Sequence, residues 1–475
     1  MPRPKDCIYC AKPTGSREHI FPAALGGRRE NKGILCASCN GGFSALDGHL
    51  AAQLQVLRGL LGVRPDRKDA PVPASVPHDG NTLFIDGAGR PSFKAPTTLV
   101  DEPGDGGDRR VQIAFSSERQ LQEWRDEQKR LGRVLKDSRT TRVGRVMEPV
   151  EIELELGGPE TFREVGRIAL NFLAHRYPTA ARAPGLRPLK DYVLGTRVPQ
   201  PGDPRPVWFI GGEVRLPPGQ PAFGHQVFIL LDRGLGTGYA VVRFFDAIEF
   251  LVDLGHVAPD ETVAVLFDID PHAEHEPLDL FERALPAADF PREVALPTCG
   301  EEEQARLGDP EQITRFFGRV SARQSRERAS SLAAALERIR TGEDADLHAA
   351  VDEALREHEG TIHQLIASVS RRFSRQFEAR PEMAGYAACL QALAERDPAH
   401  PTGLTMDARM AVGLARLVLA EAIADELEAG PVTPERVLAL FDGGEGAEIV
   451  ARLLLEQIHE AMDRAPVTAI EEASP

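Results

Sequence analysis

The chain has 475 residues, 42% hydrophobic and 27% charged, and a net charge of −16. That size and balance suit a globular protein of about three domains. They argue against a protein that coats nucleic acid with its whole surface, and no apolar run approaches the roughly 18 residues of a membrane span. The charge is uneven. Residues 1–70 hold eleven Lys and Arg against six Asp and Glu, a balance of +5, which leaves −21 on the remainder. A basic head on an acidic body suggests that any polyanion is met at the N-terminus. The opening MPRPKDCIYC lacks the apolar core of a secretory signal. A cytoplasmic location with reduced thiols is therefore expected.

Four of the six cysteines fall in the first forty residues: Cys7, Cys10, Cys36 and Cys39. Two residues between thiolates suit a tight knuckle that offers both sulfurs to one ion, and two knuckles complete a tetrahedral S4 zinc site. Reduced surroundings and the paired spacing oppose the alternative, a pair of disulfides. Cys299 and Cys389 stand alone and are read as small buried hydrophobes. Between the knuckles lie Glu18-His19, Gly26-Gly27, Arg28-Arg29, Asn31 and Lys32, and Asn40 follows the last cysteine.

Taken in order, CIYC, REHIFPAALGG and ENKGILCASCN resemble the HNH nucleases, in the zinc-bearing branch of the ββα-metal family, over residues 5–62. The resemblance implies roles for single positions. His19 is the general base that takes a proton from water, which a neutral imidazole can do near neutral pH. Glu18 and Asn40 hold Mg²⁺ or another divalent cation, which stabilises charge on the phosphate. Asn31 orients the base and its loop. Two positions depart from the family's commoner pattern: Glu18 stands for Asp, and Asn40 for the last His. Each residue also has a plainer reading. His19 could be a satisfied strand histidine, Asn31 a turn residue and Asn40 a helix N-cap. Arg28, Arg29 and Lys32, with Lys12, are expected to contact phosphate without reading sequence.

Leu46, Leu50, Leu54, Leu57 and Leu61 make one apolar stripe on the helix that follows. Asp47 and His49 lie off it; either could approach the metal, but a solvated face is the expectation. Residues 63–110, rich in Pro, Gly and Asp, read as a linker with a hairpin in TLFIDGAGRPSFK. VQIAFS reads as a strand, SERQLQEWRDEQKRLG as a Ser-capped helix, and EIELELGG as a half-exposed strand. PETFREVGRIALNFLAHRY reads as an amphipathic helix with Pro at its start. The β-branched and aromatic runs from VWFIGGEVRL to IEFLVDLG suggest an antiparallel sheet, making residues 111–298 an α+β domain. FDIDPHAEHEP, with Asp268, Asp270, His272 and His275, reads as an exposed acidic loop rather than a second metal site. Residues 301–475 carry helical periodicity and no catalytic motif.

The expected fold is thus α+β multidomain: a zinc-stapled ββα nuclease module at 1–62, a linker at 63–110, a mostly antiparallel α+β domain at 111–298 and an all-helical domain at 301–475. The expected function is metal-dependent endonucleolytic hydrolysis of DNA, in a gated defence or DNA-processing enzyme. Its cofactors are structural Zn²⁺ and a catalytic divalent cation, and its helical region serves self-association or a regulatory partner. The alternative is a non-catalytic zinc module that docks on nucleic acid or protein.

Overall fold

The computed structural model describes residues 6–464 except 67–69, 79–80, 104–107, 137–149, 151–153, 211–212, 276–277, 300–309, 343–345, 379, 381–382, 398–399, 401 and 442–444. The chain forms two compact units, one of residues 1–92 and 152–321, the other of 93–151 and 322–475. The fold is mixed helix and sheet, with the four cysteines gathered near the N-terminus and a helical C-terminal region. Among the described residues no helix is long and apolar enough to cross a membrane.

The first unit opens with a two-residue hairpin, β1 (Glu18–His19) and β2 (Glu30–Asn31), followed by α1 (Ala37–Gln53) and α2 (Gln55–Leu60). The β1–β2 connection, residues 20–29, folds closely back on itself, and its glycines are required. Gly26 is left-handed at φ +93°, and a Cβ on Gly27 would lie 2.2 Å from the Phe21 carbonyl oxygen. The leucine stripe is buried as its spacing implied, from Leu46 at 5% exposed to Leu61 at 0%. The helix breaks at Leu54, so the stripe continues across two helices.

Three strands, β3 (Ala74–His78), β4 (Asn81–Ile85) and β5 (Pro91–Phe93), form a small sheet in the expected linker. β4 and β5 are the arms of the hairpin read from TLFIDGAGRPSFK. The rest of that stretch is also more ordered than its composition suggested, because β6 (Thr97–Pro103) pairs antiparallel with β7 (Arg109–Ala114). EIELELGG does not form the expected strand where it is described. Leu154 and Leu156 instead pack against the core from an unpaired segment. Glu151–Glu153 of that motif lie outside the described residues.

The main sheet has six antiparallel strands in the order β13-β12-β9-β10-β11-β8. They are β8 (Val207–Phe209), β9 (His225–Asp232), β10 (Thr237–Phe244), β11 (Ile248–His256), β12 (Val263–Ile269) and β13 (Leu280–Leu285). β9 and β10 are apolar at successive positions because both faces are covered. Val227, Ile229 and Leu231 face one cluster with Val242 and Phe244, while Phe228 and Leu230 face another with Val241 and Phe290. The first face carries α4 (Pro159–Arg176), buried almost all round from Thr161 to Ala174, with α5 (Arg187–Leu194) following it. The same cluster runs on through Phe21, Leu25, Ile34 and the leucine stripe, so the ββα segment and the sheet share one core.

The second unit contains β6, β7 and α3 (Glu118–Arg130), whose Ser117 cap accepts from the Gln120 N–H at 3.2 Å. Its own core joins the later part of α6 (Pro310–Thr341) with α7 (Leu347–Arg356), α8 (Glu359–Glu378), α9 (Ala384–Ala392), α10 (Met406–Ala429), α11 (Pro434–Phe441) and α12 (Glu445–Arg464). The two lone cysteines, Cys299 and Cys389, are half-buried rather than fully buried, and neither is in a disulfide.

Candidate active site

The two knuckles meet. Cys7 and Cys10 flank a tight turn, Cys36 caps α1, and Cys39 lies in its first turn. All four Sγ atoms fall within 4.8 Å of one another, with Cys10 3.5 Å from Cys36 and 3.6 Å from Cys39. A tetrahedral zinc with Zn–S bonds of about 2.3 Å needs sulfurs about 3.8 Å apart, so the donor set fits that ion. Ser38 Oγ, 3.3 Å from Cys36 Sγ, pulls that thiol's pKa down, whereas burial pushes Cys39 up. Among the described residues no other group of three or more Cys, His, Asp or Glu side chains is arranged to share an ion. Asp268 of the acidic segment is not on an exposed loop. It is the penultimate residue of β12, 1% exposed, accepting from Gln226 at 2.7 Å and pairing with Arg283 at 2.7 Å.

The hairpin sorts its residues by face. Glu18 pairs with Asn31 and His19 with Glu30, and successive strand residues point to opposite sides. Glu18 and Asn31 both meet α4. That helix carries Glu164, Arg167, Asn171 and His175 at spacings of three, four and four, which places them on one face. Arg167 binds Glu18 and Asp47 through its Nη atoms and grips Glu164 in a fork, Nη2 at 2.6 Å and Nε at 2.8 Å. Its guanidinium carbon lies 5.6 Å from the centre of the Phe43 ring. Asn171 Nδ2 donates to Glu18 at 3.1 Å. Asn31 Nδ2 donates to His175 Nδ1 at 3.1 Å, and Asn31 Oδ1 accepts from the Gly33 N–H at 2.8 Å. Asn31 thus closes a local turn and makes a long-range contact as well.

Burial dominates the electrostatics of this cluster. Arg167 is 1% exposed, Glu164 0% and Glu18 3%. Desolvation pushes the carboxyls of Glu164 and Glu18 up, against the pull of Arg167. Burial works against the charge of Arg167, but Glu164, Asp47 and Glu18 outweigh it and hold the guanidinium protonated. One guanidinium thus serves three acidic side chains, and Glu18 shares its cation with Glu164 and Asp47. Both contacts of Glu18, from Arg167 and Asn171, fall on Oε1.

His19 faces the other way. Its Nε2 lies 3.2 Å from Asp66 Oδ2, and Asp66 Oδ1 accepts from Arg28 Nη1 at 3.2 Å. Arg28 also donates to the carbonyls of Arg64, at 3.4 Å, and Ala273. Arg28 thus departs from its expected role at phosphate: it is 7% exposed, and its donors are committed inside the fold. Arg29 is a quarter exposed and 3.6 Å from Asp279, while Lys32 is exposed. Asn40 lies within α1 and is not its cap, which is Cys36. Its Nδ2 donates to Ser16 Oγ at 2.6 Å and to the Arg17 carbonyl at 3.1 Å, latching the helix to the chain entering β1. Asp47 is tied to Arg167 although its side chain stays 38% exposed, and Gln53 donates to His49 at 3.2 Å.

Residues 7–55 match the HNH endonuclease family. No curated protein and no solved structure matches the chain. The HNH segment contains the four cysteines, the hairpin and all of α1. Its surroundings come from elsewhere: Asp66 from the loop after α2, and Arg167, Asn171 and His175 from α4. Sequence reasoning missed all four. Asp66 carries no signal in the sequence. α4 did carry one, since a polar stripe at helical spacing in a segment as apolar as GRIALNFLA calls for partners.

Proposed function

We propose that the HNH segment hydrolyses phosphodiester bonds of nucleic acid, with DNA as the substrate class. The family match over residues 7–55, on a chain that folds there as β1-β2-α1, carries this reading. His19 acts as the general base. With Nε2 engaged by Asp66, Nδ1 is the nitrogen that accepts a proton as water attacks phosphorus. The new P–O bond forms as the bond to the departing sugar oxygen breaks, and that oxygen takes up a proton from solvent. Structural zinc on Cys7, Cys10, Cys36 and Cys39 fixes α1 against the chain before β1, and Asn40 adds its own latch there. Lys32 and Arg29 supply positive charge near the hairpin, and Arg28 maintains the base's surroundings. HNH nucleases use divalent metals to stabilise charge on the phosphate. In this chain Glu18 would serve that purpose most fully once Arg167 releases its Oε1. A gate of that kind agrees with a defence or DNA-processing enzyme held inactive until triggered.

The engagement of Glu18 by Arg167 also favours a second reading, a zinc-bearing module that docks on nucleic acid without cutting it. Plasmid nicking in Mg²⁺, Mn²⁺ or Ni²⁺ separates the two. The hydrolase reading expects nicking by the wild type and none by His19→Ala. Binding without nicking, unchanged in His19→Ala, supports docking.

A further inference from the structure

The base proposed above is held at one ring nitrogen by a carboxylate from outside the HNH segment. Asp66 is itself held at three points. Its backbone N–H donates to the Ala23 carbonyl at 3.1 Å, its Oδ1 accepts from Arg28, and its Oδ2 faces His19 Nε2. Arg28 is anchored in turn on the Ala273 carbonyl, beyond β12. The result is a chain of contacts from a backbone carbonyl through a buried guanidinium and a carboxylate to an imidazole. Among the described residues the His19 ring makes no other hydrogen bond. A carboxylate can only accept, so this contact selects the His19 tautomer that carries its proton on Nε2. Nδ1 is left with its lone pair, as a proton acceptor must be.

We propose that Asp66 is the positioning residue of His19. It sets the ring's tautomer and orientation and stabilises the imidazolium formed when Nδ1 takes a proton from water. Arg28 fixes which carboxylate oxygen faces the ring. The role rests on the reading of His19 as general base, but the contact that carries it can be tested without activity. Asp66→Asn is the decisive variant because it keeps the shape while letting an amide N–H donate to Nε2, which favours the opposite tautomer.

The experiment uses the full-length protein with ¹⁵N-labelled histidine, in wild type, Asp66→Asn, Asp66→Ala and Asp66→Glu. Zinc content and melting temperature check that each variant is folded, and His19→Gln identifies the His19 resonances. We expect the wild-type ring to be protonated on Nε2, and Asp66→Asn and Asp66→Ala to lose that preference. In plasmid nicking, Asp66→Asn and Asp66→Ala should lower kcat on the order of 10²-fold or more, the scale of a general base's contribution, with KM within about two-fold. Asp66→Glu should restore part of kcat. The proposal is overturned if folded Asp66→Asn and Asp66→Ala retain the wild-type tautomer, or nick at the wild-type rate. A wild type that never nicks, yet shows an Asp66-dependent tautomer, sinks the hydrolase reading and leaves the His19–Asp66 pair standing.

Discussion

Two clusters of charge hold the HNH segment, and they are built in opposite ways. The thiol cluster takes all its ligands from Cys7, Cys10, Cys36 and Cys39, inside the segment. The guanidinium cluster joins Glu18 and Asp47 to Arg167, which lies 149 and 120 residues further along the chain. The first is exposed at Cys10 and calls for an ion from outside. The second is buried and brings its own cation. A metal knuckle can assemble from local chain, whereas a buried ion group has to be delivered by the tertiary fold, with every charge paired or bonded.

The sharpest way to break this comparison is to remove one sulfur. Cys36→Ser should release zinc and abolish cooperative melting of the N-terminal segment, because structural zinc sites carry apparent binding free energies of about 10–16 kcal/mol. Zinc analysis with thermal melting checks it, and a strong chelator should do the same to the wild type. Arg167→Met should cost less, about 3–5 kcal/mol, by leaving Glu18 and Glu164 buried without their cation. Urea unfolding measures that loss. Changing Glu164 to Leu as well should recover part of it.

A third attachment is neutral and sharpens the contrast through pH. His225, 0% exposed, donates from Nε2 to the Leu25 carbonyl at 3.1 Å and accepts at Nδ1 from the Phe245 N–H at 3.3 Å. Burial pulls its pKa down from 6.5 to about 3, although the Leu25 carbonyl works the other way. Below pH 6.5 the unfolded chain binds a proton that the folded chain refuses. This group's stability is therefore complete above that pH and is lost towards pH 3, by at most about 1.4 kcal/mol per pH unit. Unfolding midpoints from pH 7 down to 4 should fall, and fall less steeply in His225→Gln. The smallest effect belongs to the surface. Lys32→Ala should weaken DNA binding by less than about ten-fold and reduce the salt slope by about one, as titrations at several salt concentrations would show.

These contrasts also explain what the sequence made legible. Cysteine spacing, the leucine stripe, the Ser117 cap and the apolar runs of β9 to β11 are local patterns, and each marks an element or cluster that the fold contains. Arg28 looked like a phosphate contact because a paired arginine in a loop has no local partner. Its partners, Asp66 and Ala273, are distant in sequence. Leu154 and Leu156 alternate like a strand, yet they are drawn into the core without a neighbour to pair with. The Pro- and Gly-rich stretch after residue 62 showed the β4–β5 hairpin but concealed β3 and β6, because short paired strands tolerate such residues at their ends. Glu18 was expected to hold a divalent cation, and nothing nearby in sequence named Arg167 as the side chain it meets.

The shared core has a practical corollary for anyone wishing to transplant the HNH segment. A fragment cut after α2 would part the Leu25 carbonyl from His225, Arg28 from Ala273 and Glu18 from Arg167, and would open the apolar side of the leucine helix to water. Zinc could still knit its knuckles, but the excised piece would not be a portable cassette. Fusions and domain swaps should carry α4 and the sheet along with it.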